Sequence, residues 1–245
     1  MTTLPPLSSR TALFLDFDGT LAEIVPTPEL ASTPDETKQA LASLQQSLGG
    51  ALAVVSGRRI ADLDVLLSPL RFPAAGLHGL ERRDAAGRLH PAPLPASVSQ
   101  LRARLAGFVG ASPGIRLEDK GVSLALHYRE APEAGPACEA AMVEATRDLP
   151  DLHLIHGKMV IEAKPRGGTK GTAIRVFMTE EPFRGRTPVF AGDDVTDEDG
   201  FAAVSELGGA GIKVGPGETR AGFRVPSVAA LRAWLVEAAG ADAGA

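Results

Sequence analysis

Strand and helix signals alternate along this chain, stop near residue 90 and resume at residue 169. That interrupted alternation constrains the fold more than any other feature. The apolar run Ala12-Leu-Phe-Leu15 reads as a buried strand that ends in Asp16-Phe-Asp-Gly-Thr20. A Pro-rich connection, Val25-Pro-Thr-Pro28, leads to Thr33-Pro34-Asp35-Glu36. This reads as a helix start, with Thr33 as cap, Pro34 at the first helical position and Glu36 completing a capping box. Leu41, Leu44 and Leu48 keep helical spacing until Gly49-Gly50 stop it. A second strand at 51–55 ends at Ser56-Gly57-Arg58, and Ile60, Leu63 and Leu67 mark the next helix. Phe72-Pro-Ala-Ala75 then leads into Gly76-Leu-His-Gly79. Such βαβα order predicts a parallel sheet covered by helices, with ligands beyond the strands' carboxyl ends. Asp16 and Ser56 both occupy that position.

The intervening segment has another rhythm. Pro91, Pro93 and Pro95 mark a connector, followed by a helix around Leu101, Leu105 and Phe108. In residues 115–129, Val122, Leu124 and Leu126 alternate with Ser123, Ala125 and His127, and the stretch is expected to form one half-buried strand. A helix at about 137–148 follows, then two apolar runs flanking His156-Gly-Lys158, a hairpin signal. This is the pattern of a small α+β unit inserted into a larger one. From Lys170 the first pattern returns. A helix at 169–179 precedes the strand Thr187-Pro-Val-Phe-Ala191, which ends at Gly192-Asp-Asp194. A helix near 197–206, a strand at 211–214 and a last helix opening at Ser227 complete the chain. The expected organisation is a core at 1–96 and 166–245 with an insert at 97–165.

Composition narrows the functional classes. A net charge of −5 without a long basic run argues against nucleic acid as a main partner, but allows a small anionic ligand. A single cysteine, Cys138, rules out a disulfide framework within the chain, and its helical surroundings suggest ordinary packing. No apolar run reaches the ~18–20 residues of a membrane span, and residues 1–10 have no apolar signal core. A cytoplasmic protein, monomeric and without a membrane partner, is the expectation.

Four points carry chemistry. Asp16 and Asp18, two apart at a strand end, can face one site and offer oxygen ligands to a hard cation, a nucleophile and an acid/base. Ser56 and Gly57 offer a hydroxyl and approachable backbone N–H groups to phosphate oxygens. Lys170 lies in the first turn of a helix, where a cation opposes the helix dipole. Asp193 and Asp194, with Asp197 close behind, cluster negative charge at another strand end. Each has a plainer reading: a turn, a strand-to-helix connection, a solvated lysine, a helix cap.

Taken together, Asp-x-Asp-Gly-Thr, then Ser, Lys and Gly-Asp-Asp, each after the right element, resemble the haloacid dehalogenase-like phosphatases. Further strings resemble the trehalose-6-phosphate phosphatase family within that superfamily: Val55-Ser-Gly-Arg58, Gly76-Leu-His-Gly79, His127-Tyr-Arg129, Gly157-Lys-Met-Val-Ile-Glu162 and Gly192-Asp-Asp-Val-Thr-Asp-Glu198. The resemblance implies a Rossmann-like parallel core with an α+β cap, and a sugar phosphate as substrate. It implies Asp16 as nucleophile and Asp18 as general acid/base, supported by Thr20. Ser56, Gly57 and Lys170 would hold the phosphoryl group. Mg²⁺ would be bound by Asp16, the backbone carbonyl of Asp18, and Asp193. Glu118, Lys120 and Glu162 on the cap would grip the distal sugar, with Arg58, His78, Asp194 and Asp197 in support. Connectors near 91–97 and 164–168 would hinge the cap. A phosphatase for another sugar phosphate, such as sucrose phosphate or mannosylglycerate phosphate, would share the core residues. A catalytically silent sugar-phosphate-binding module is the alternative from another class.

Overall fold

A computed structural model describes residues 3–25, 30–91 and 96–241. The chain divides into two compact units. One runs to Pro91 and resumes at Gly168; the other is the segment between.

The larger unit is built on an eight-stranded sheet. In chain order its elements are β1 (Thr11–Leu15), α1 (Asp35–Ser47), β2 (Leu52–Val55), α2 (Ile60–Leu66), β3 (Ala74–Gly76), β4 (Glu81–Arg83) and β5 (Leu89–His90). After the second unit come α5 (Lys170–Phe177), β10 (Thr187–Gly192), α6 (Glu198–Glu206), β11 (Ala210–Val214), β12 (Phe223–Val225) and α7 (Val228–Ala241). The spatial order is β12-β11-β10-β1-β2-β3-β4-β5. The run from β12 to β3 is parallel, while β4 and β5 add antiparallel at one edge. The central strands β1 and β2 are wholly buried, as continuous apolar strands covered on both faces must be. One face packs Leu13, Leu15, Leu52 and Val54 against Leu41, Leu44, Leu231 and Leu235. The other packs Ala12, Phe14, Ala53 and Val55 against Ile174, Phe177 and Phe201. Strand order reverses direction of growth at β1, between β10 and β2. A crevice at the carboxyl ends of such neighbours is where ligands of open α/β sheets bind.

The smaller unit has an antiparallel sheet ordered β6-β7-β9-β8. Its elements are α3 (Ala96–Gly110), β6 (Arg116–Asp119), β7 (Leu124–His127), α4 (Gly135–Thr146), β8 (Leu152–Gly157) and β9 (Val160–Pro165). Leu124, Leu126, Ile161 and Ala163 cover one sheet face with Leu101, Leu105, Cys138 and Met142 of the helices. Cys138 is thus a buried packing residue with a free thiol.

Several expectations need correction. Residues 115–129 form two strands, because Gly121 turns the chain with φ 85° and pairs β6 against β7. α1 begins at Asp35 with Pro34 as N-cap and no side-chain cap, so the expected Thr33–Glu36 capping box is absent. The Thr33 hydroxyl is instead buried without a hydrogen-bond partner among the described residues. β4, β5 and β12 are only two or three residues long and carry no alternating signal. The second connector is shorter than expected, since β9 runs to Pro165. Residues 92–95 of the first connector, and 26–28 of the Pro-rich connection, lie outside the described residues.

Candidate active site

β1 hydrogen-bonds to β10 in parallel register, Leu15 opposite Ala191, so the residues after each strand meet at one end of the sheet. Asp16 follows β1 directly and its backbone N–H donates to the Ala191 carbonyl at 2.9 Å. Its side chain is 5% exposed and one carboxylate oxygen lies 2.9 Å from Lys170 Nζ. Lys170 opens α5, which Thr169 caps by accepting the Thr172 N–H. The same ammonium donates to Asp197 Oδ1 at 2.6 Å. Asp197 uses its other oxygen to accept the backbone N–H groups of Asp193 and Asp194, both at 2.9 Å. It therefore caps the turn after β10 and anchors the lysine at once. This is why a lysine tolerates the positive end of a helix: two buried carboxylates outweigh the dipole.

The charges do not balance. Carboxylate oxygens of Asp16, Asp193 and Asp197 lie within 4.8 Å of one another, with Lys170 as the cation between two of them. Burial raises Asp16 well above the usual carboxylate range, and the charges of Asp197 and Asp193 add to this against the pull of Lys170. Burial and the Asp197 charge push Asp193 up to about 6. Burial alone would lower Lys170, but Asp16 and Asp197 outweigh it and raise it above its ordinary value. Surplus carboxylate oxygens in a dry site suit a hard cation. Asp197 has both oxygens engaged, so Asp16 and Asp193 are the better donors. Gly19, at φ +72°, brings the Asp18–Gly19 backbone against the Asp193 side chain, where any methyl would overlap the carboxylate. Asp16, Asp193 and the backbone behind Asp18 therefore converge, and the donor set fits a divalent ion.

Asp18 departs from Asp16. Its side chain is 41% exposed, and both its oxygens accept from Arg58, Nε and Nη2 each at 2.7 Å. The guanidinium also stands over the Phe17 ring, 5.4 Å from its centre. Arg58 belongs to the loop after β2 with Ser56 and Gly57. Ser56 is buried, its N–H donates to Ala75 at 2.9 Å, and its hydroxyl accepts the Arg58 N–H at 3.2 Å. Leu77 and His78 both adopt left-handed backbone, with φ 51° and 57°. Their N–H groups donate back to the carbonyls of Arg58 and Ser56, both at 2.9 Å. The His78 ring consequently covers Gly57 so closely that a Cβ there would lie 2.7 Å from Cε1 and Nε2. Thr20 is fully buried, and its hydroxyl finds no hydrogen-bond partner among the described residues.

Lys213 was not foreseen. It is 5% exposed on β11 and donates to the carbonyls of Asp193 and Val214, pinning the Asp193 turn from behind. A lysine inside the apolar strand Gly211-Ile-Lys-Val214 was the available signal, since a buried ammonium needs acceptors.

In the smaller unit, Glu118, Ala125 and Glu162 fall in one cross-strand row. Lys120, just past the end of β6, donates to Glu162 Oε2 at 3.1 Å, and the Ser123 hydroxyl donates to Glu162 Oε1 at 2.7 Å. The expected sugar-binding residues are thus neighbours on the sheet face opposite its helices. Asp194 heads the turn that Asp197 closes, each accepting from the other's end of it.

Comparison with known proteins identifies the family. A trehalose-phosphatase family profile matches residues 14–228. The chain is 47% identical over 236 residues to a trehalose-6-phosphate phosphatase of Escherichia coli (strain K12), covering 96% of this chain and 89% of the relative. It is 44% identical over 224 residues to a probable trehalose-phosphate phosphatase of Sinorhizobium fredii (strain NBRC 101917 / NGR234), covering 90% and 84%. Among solved structures, a trehalose-6-phosphate phosphatase related protein superposes with TM-score 0.79 at 26% identity, covering 95% of this chain and 98% of that one. With a profile spanning most of its length and relatives this similar, the chain belongs to the trehalose-phosphatase family.

Proposed function

We propose that this chain hydrolyses trehalose 6-phosphate to trehalose and phosphate, using Mg²⁺ and a covalent aspartyl-phosphate on Asp16. The observation that carries the reading is the buried Asp16–Lys170–Asp197 array beside Asp193. Asp16 lies at the carboxyl end of β1 with one oxygen paired to Lys170, and its carboxylate is the group that attacks phosphorus. Lys170 stays charged and donates to a phosphoryl oxygen as negative charge gathers there. The Ser56 hydroxyl and the N–H groups around Gly57 hold further phosphoryl oxygens. Asp16, Asp193 and the Asp18 carbonyl would hold Mg²⁺. When bound, the ion offsets the repulsion between the Asp16 carboxylate and the phosphate dianion.

Asp18 gives a proton to the departing sugar oxygen and later takes one from water. Arg58 engages both Asp18 oxygens, so that pair has to open before the carboxyl can serve as acid. Asp197 and Lys213 fix the Asp193 turn, and His78 fixes the loop that presents Ser56. Glu118, Lys120 and Glu162 accept from and donate to hydroxyls of the distal glucose. The segment between the connectors acts as the cap that brings them there.

A panel of sugar phosphates tests the substrate. Trehalose 6-phosphate should exceed sucrose phosphate, mannosylglycerate phosphate and simple hexose phosphates in kcat/KM. Comparable values across the panel would overturn the substrate assignment while leaving the phosphatase reading intact. Asp16→Asn tests the chemistry: a folded variant with unchanged turnover would remove Asp16 as nucleophile.

A further inference from the structure

The four-stranded sheet of the smaller unit has two unlike faces. Leu117, Leu124, Leu126, Ile161 and Ala163 point to the helices α3 and α4. Side chains alternate along a strand, so Glu118, Ala125, His127 and Glu162 share the other face. Register places Glu118 opposite Ala125, and His127 opposite Arg116. His127 and Glu118 are therefore diagonal cross-strand neighbours, a spacing within reach of long side chains. His127 Nε2 lies 2.8 Å from Glu118 Oε2. An ionised carboxylate only accepts, so Nε2 carries the hydrogen and donates.

We propose that His127 is a positioning residue for sugar recognition, holding the Glu118 carboxylate in one orientation so that its second oxygen is presented to a substrate hydroxyl. The inference rests on the reading of Glu118 as a sugar contact. Two features of the face argue for it. First, each of its two glutamates is held by a neighbour: Glu162 by Ser123 and Lys120, Glu118 by His127. Glu162 has both oxygens engaged, whereas the His127 bond takes only Oε2 of Glu118. Second, the small Ala125 stands between the two glutamates in the cross-strand row and is itself wholly buried, so the side chains around it pack closely and limit where either carboxylate can turn. The same hydrogen bond is the main reason that Glu118 titrates below the usual carboxylate range, partly offset by desolvation. It therefore remains an acceptor under working conditions. A free glutamate would have to be ordered when the sugar arrives; one already held has less entropy to lose.

The test is steady-state kinetics on trehalose 6-phosphate and on p-nitrophenyl phosphate, which lacks the distal sugar. His127→Leu should raise KM for trehalose 6-phosphate roughly three- to tenfold, the range set by immobilising one flexible side chain, with kcat within about twofold. The ratio of kcat/KM values for the two substrates should fall by the same factor. His127→Gln, which retains an N–H donor, should recover most of the loss. In a Glu118→Ala background, His127→Leu should add nothing, because it acts through Glu118. An unchanged KM in His127→Leu, or an equal effect with and without Glu118, would overturn the positioning role. If Glu118→Ala itself leaves the substrate ratio unchanged, the sugar-binding reading of the face fails, and this inference with it.

Discussion

Replacing Lys170 by methionine removes the single ammonium shared by two carboxylates that are 5% and 0% exposed. Removing one partner of a buried ionic group costs about 3–5 kcal/mol, since the remaining charge has lost both water and its counterion. For a chain of this size that corresponds to a melting temperature lower by roughly 6–20 °C. The deficit should depend on pH in a defined direction. Burial already raises Asp16 above its unfolded value, and Lys170 is the first influence opposing that rise. A carboxyl whose folded pKa is raised contributes stability below its unfolded pKa and loses it as pH rises through the folded one. Without Lys170 the folded value climbs further, so the penalty grows as pH rises and shrinks as pH falls and Asp16 takes up a proton. Thermal melts of both proteins in chelator at pH 5, 6.5 and 8 measure this directly. Turnover at saturating metal should fall roughly 10²–10³-fold, the loss typical of one donor to a developing oxyanion. A deficit under 2 °C at pH 8, or one that does not narrow at pH 5, would refute the account of Lys170 as the counter-charge of this site.

Three further outcomes follow from the same geometry. Asp193 is pushed up to about 6 and Asp16 is also raised, so protons compete with metal in the acid range. Calorimetric Mg²⁺ affinity should fall roughly tenfold per pH unit per displaced proton below about pH 6, and a constant affinity from pH 5 to 7 would remove these two as ligands. Gly19→Ala should weaken Mg²⁺ binding more than it lowers stability: left-handed backbone costs an L-residue roughly 1–2 kcal/mol, but the methyl also displaces the Asp193 carboxylate. Gly57→Ala should reduce kcat/KM at least about tenfold by misplacing the phosphate loop, because the methyl would sit 2.7 Å from the His78 ring. Adding His78→Ala should restore part of that loss, and no restoration would show that ring overlap is not the cause.

The core of the fold was legible because it is written in local signals. Leu41, Leu44 and Leu48, or Ile60, Leu63 and Leu67, have one spacing compatible with one buried helix face, and all six are buried. Parallel strands buried on both sides cannot avoid long apolar runs. The edge elements had no such signal. β4 and β5 are held by pairing with a neighbour rather than by their own pattern, and Arg83 there is buried through a paired contact with Asp64 and the Phe72 carbonyl. The break between β6 and β7 is marked by a change of phase rather than by a loss of pattern: Ile115 and Leu117 face inward at odd positions, Val122, Leu124 and Leu126 at even ones, with the turn at Gly121 between them. The capping box was over-read, since Thr33-Pro34-Asp35-Glu36 has the right residue types but a start displaced by one position.

The limit for the site is of another kind, and Asp16 and Asp18 display it. Their spacing of two suggests a shared direction, but that rule belongs to strands and β1 ends at Leu15. Both carboxylates are already in the loop, where partners rather than periodicity decide orientation. Phe17 between them is fully buried and its carbonyl accepts from the N–H groups of Thr20, Leu21 and Ala22. This folds the loop back and separates the two acids. Asp16 is left in a dry environment with an ammonium and two other carboxylates, where charge is costly and a cation is needed. Asp18 is left half in water with a guanidinium from another loop, 40 residues away in sequence. The first arrangement suits a nucleophile that must be ionised by its surroundings. The second suits a group that exchanges protons, because solvent can replace the arginine when the pair opens. Long-range partners of this kind leave no trace in residue spacing, so spacing alone offers both carboxylates the same chemistry, and the expected division of labour between them comes only from the resemblance of the whole motif.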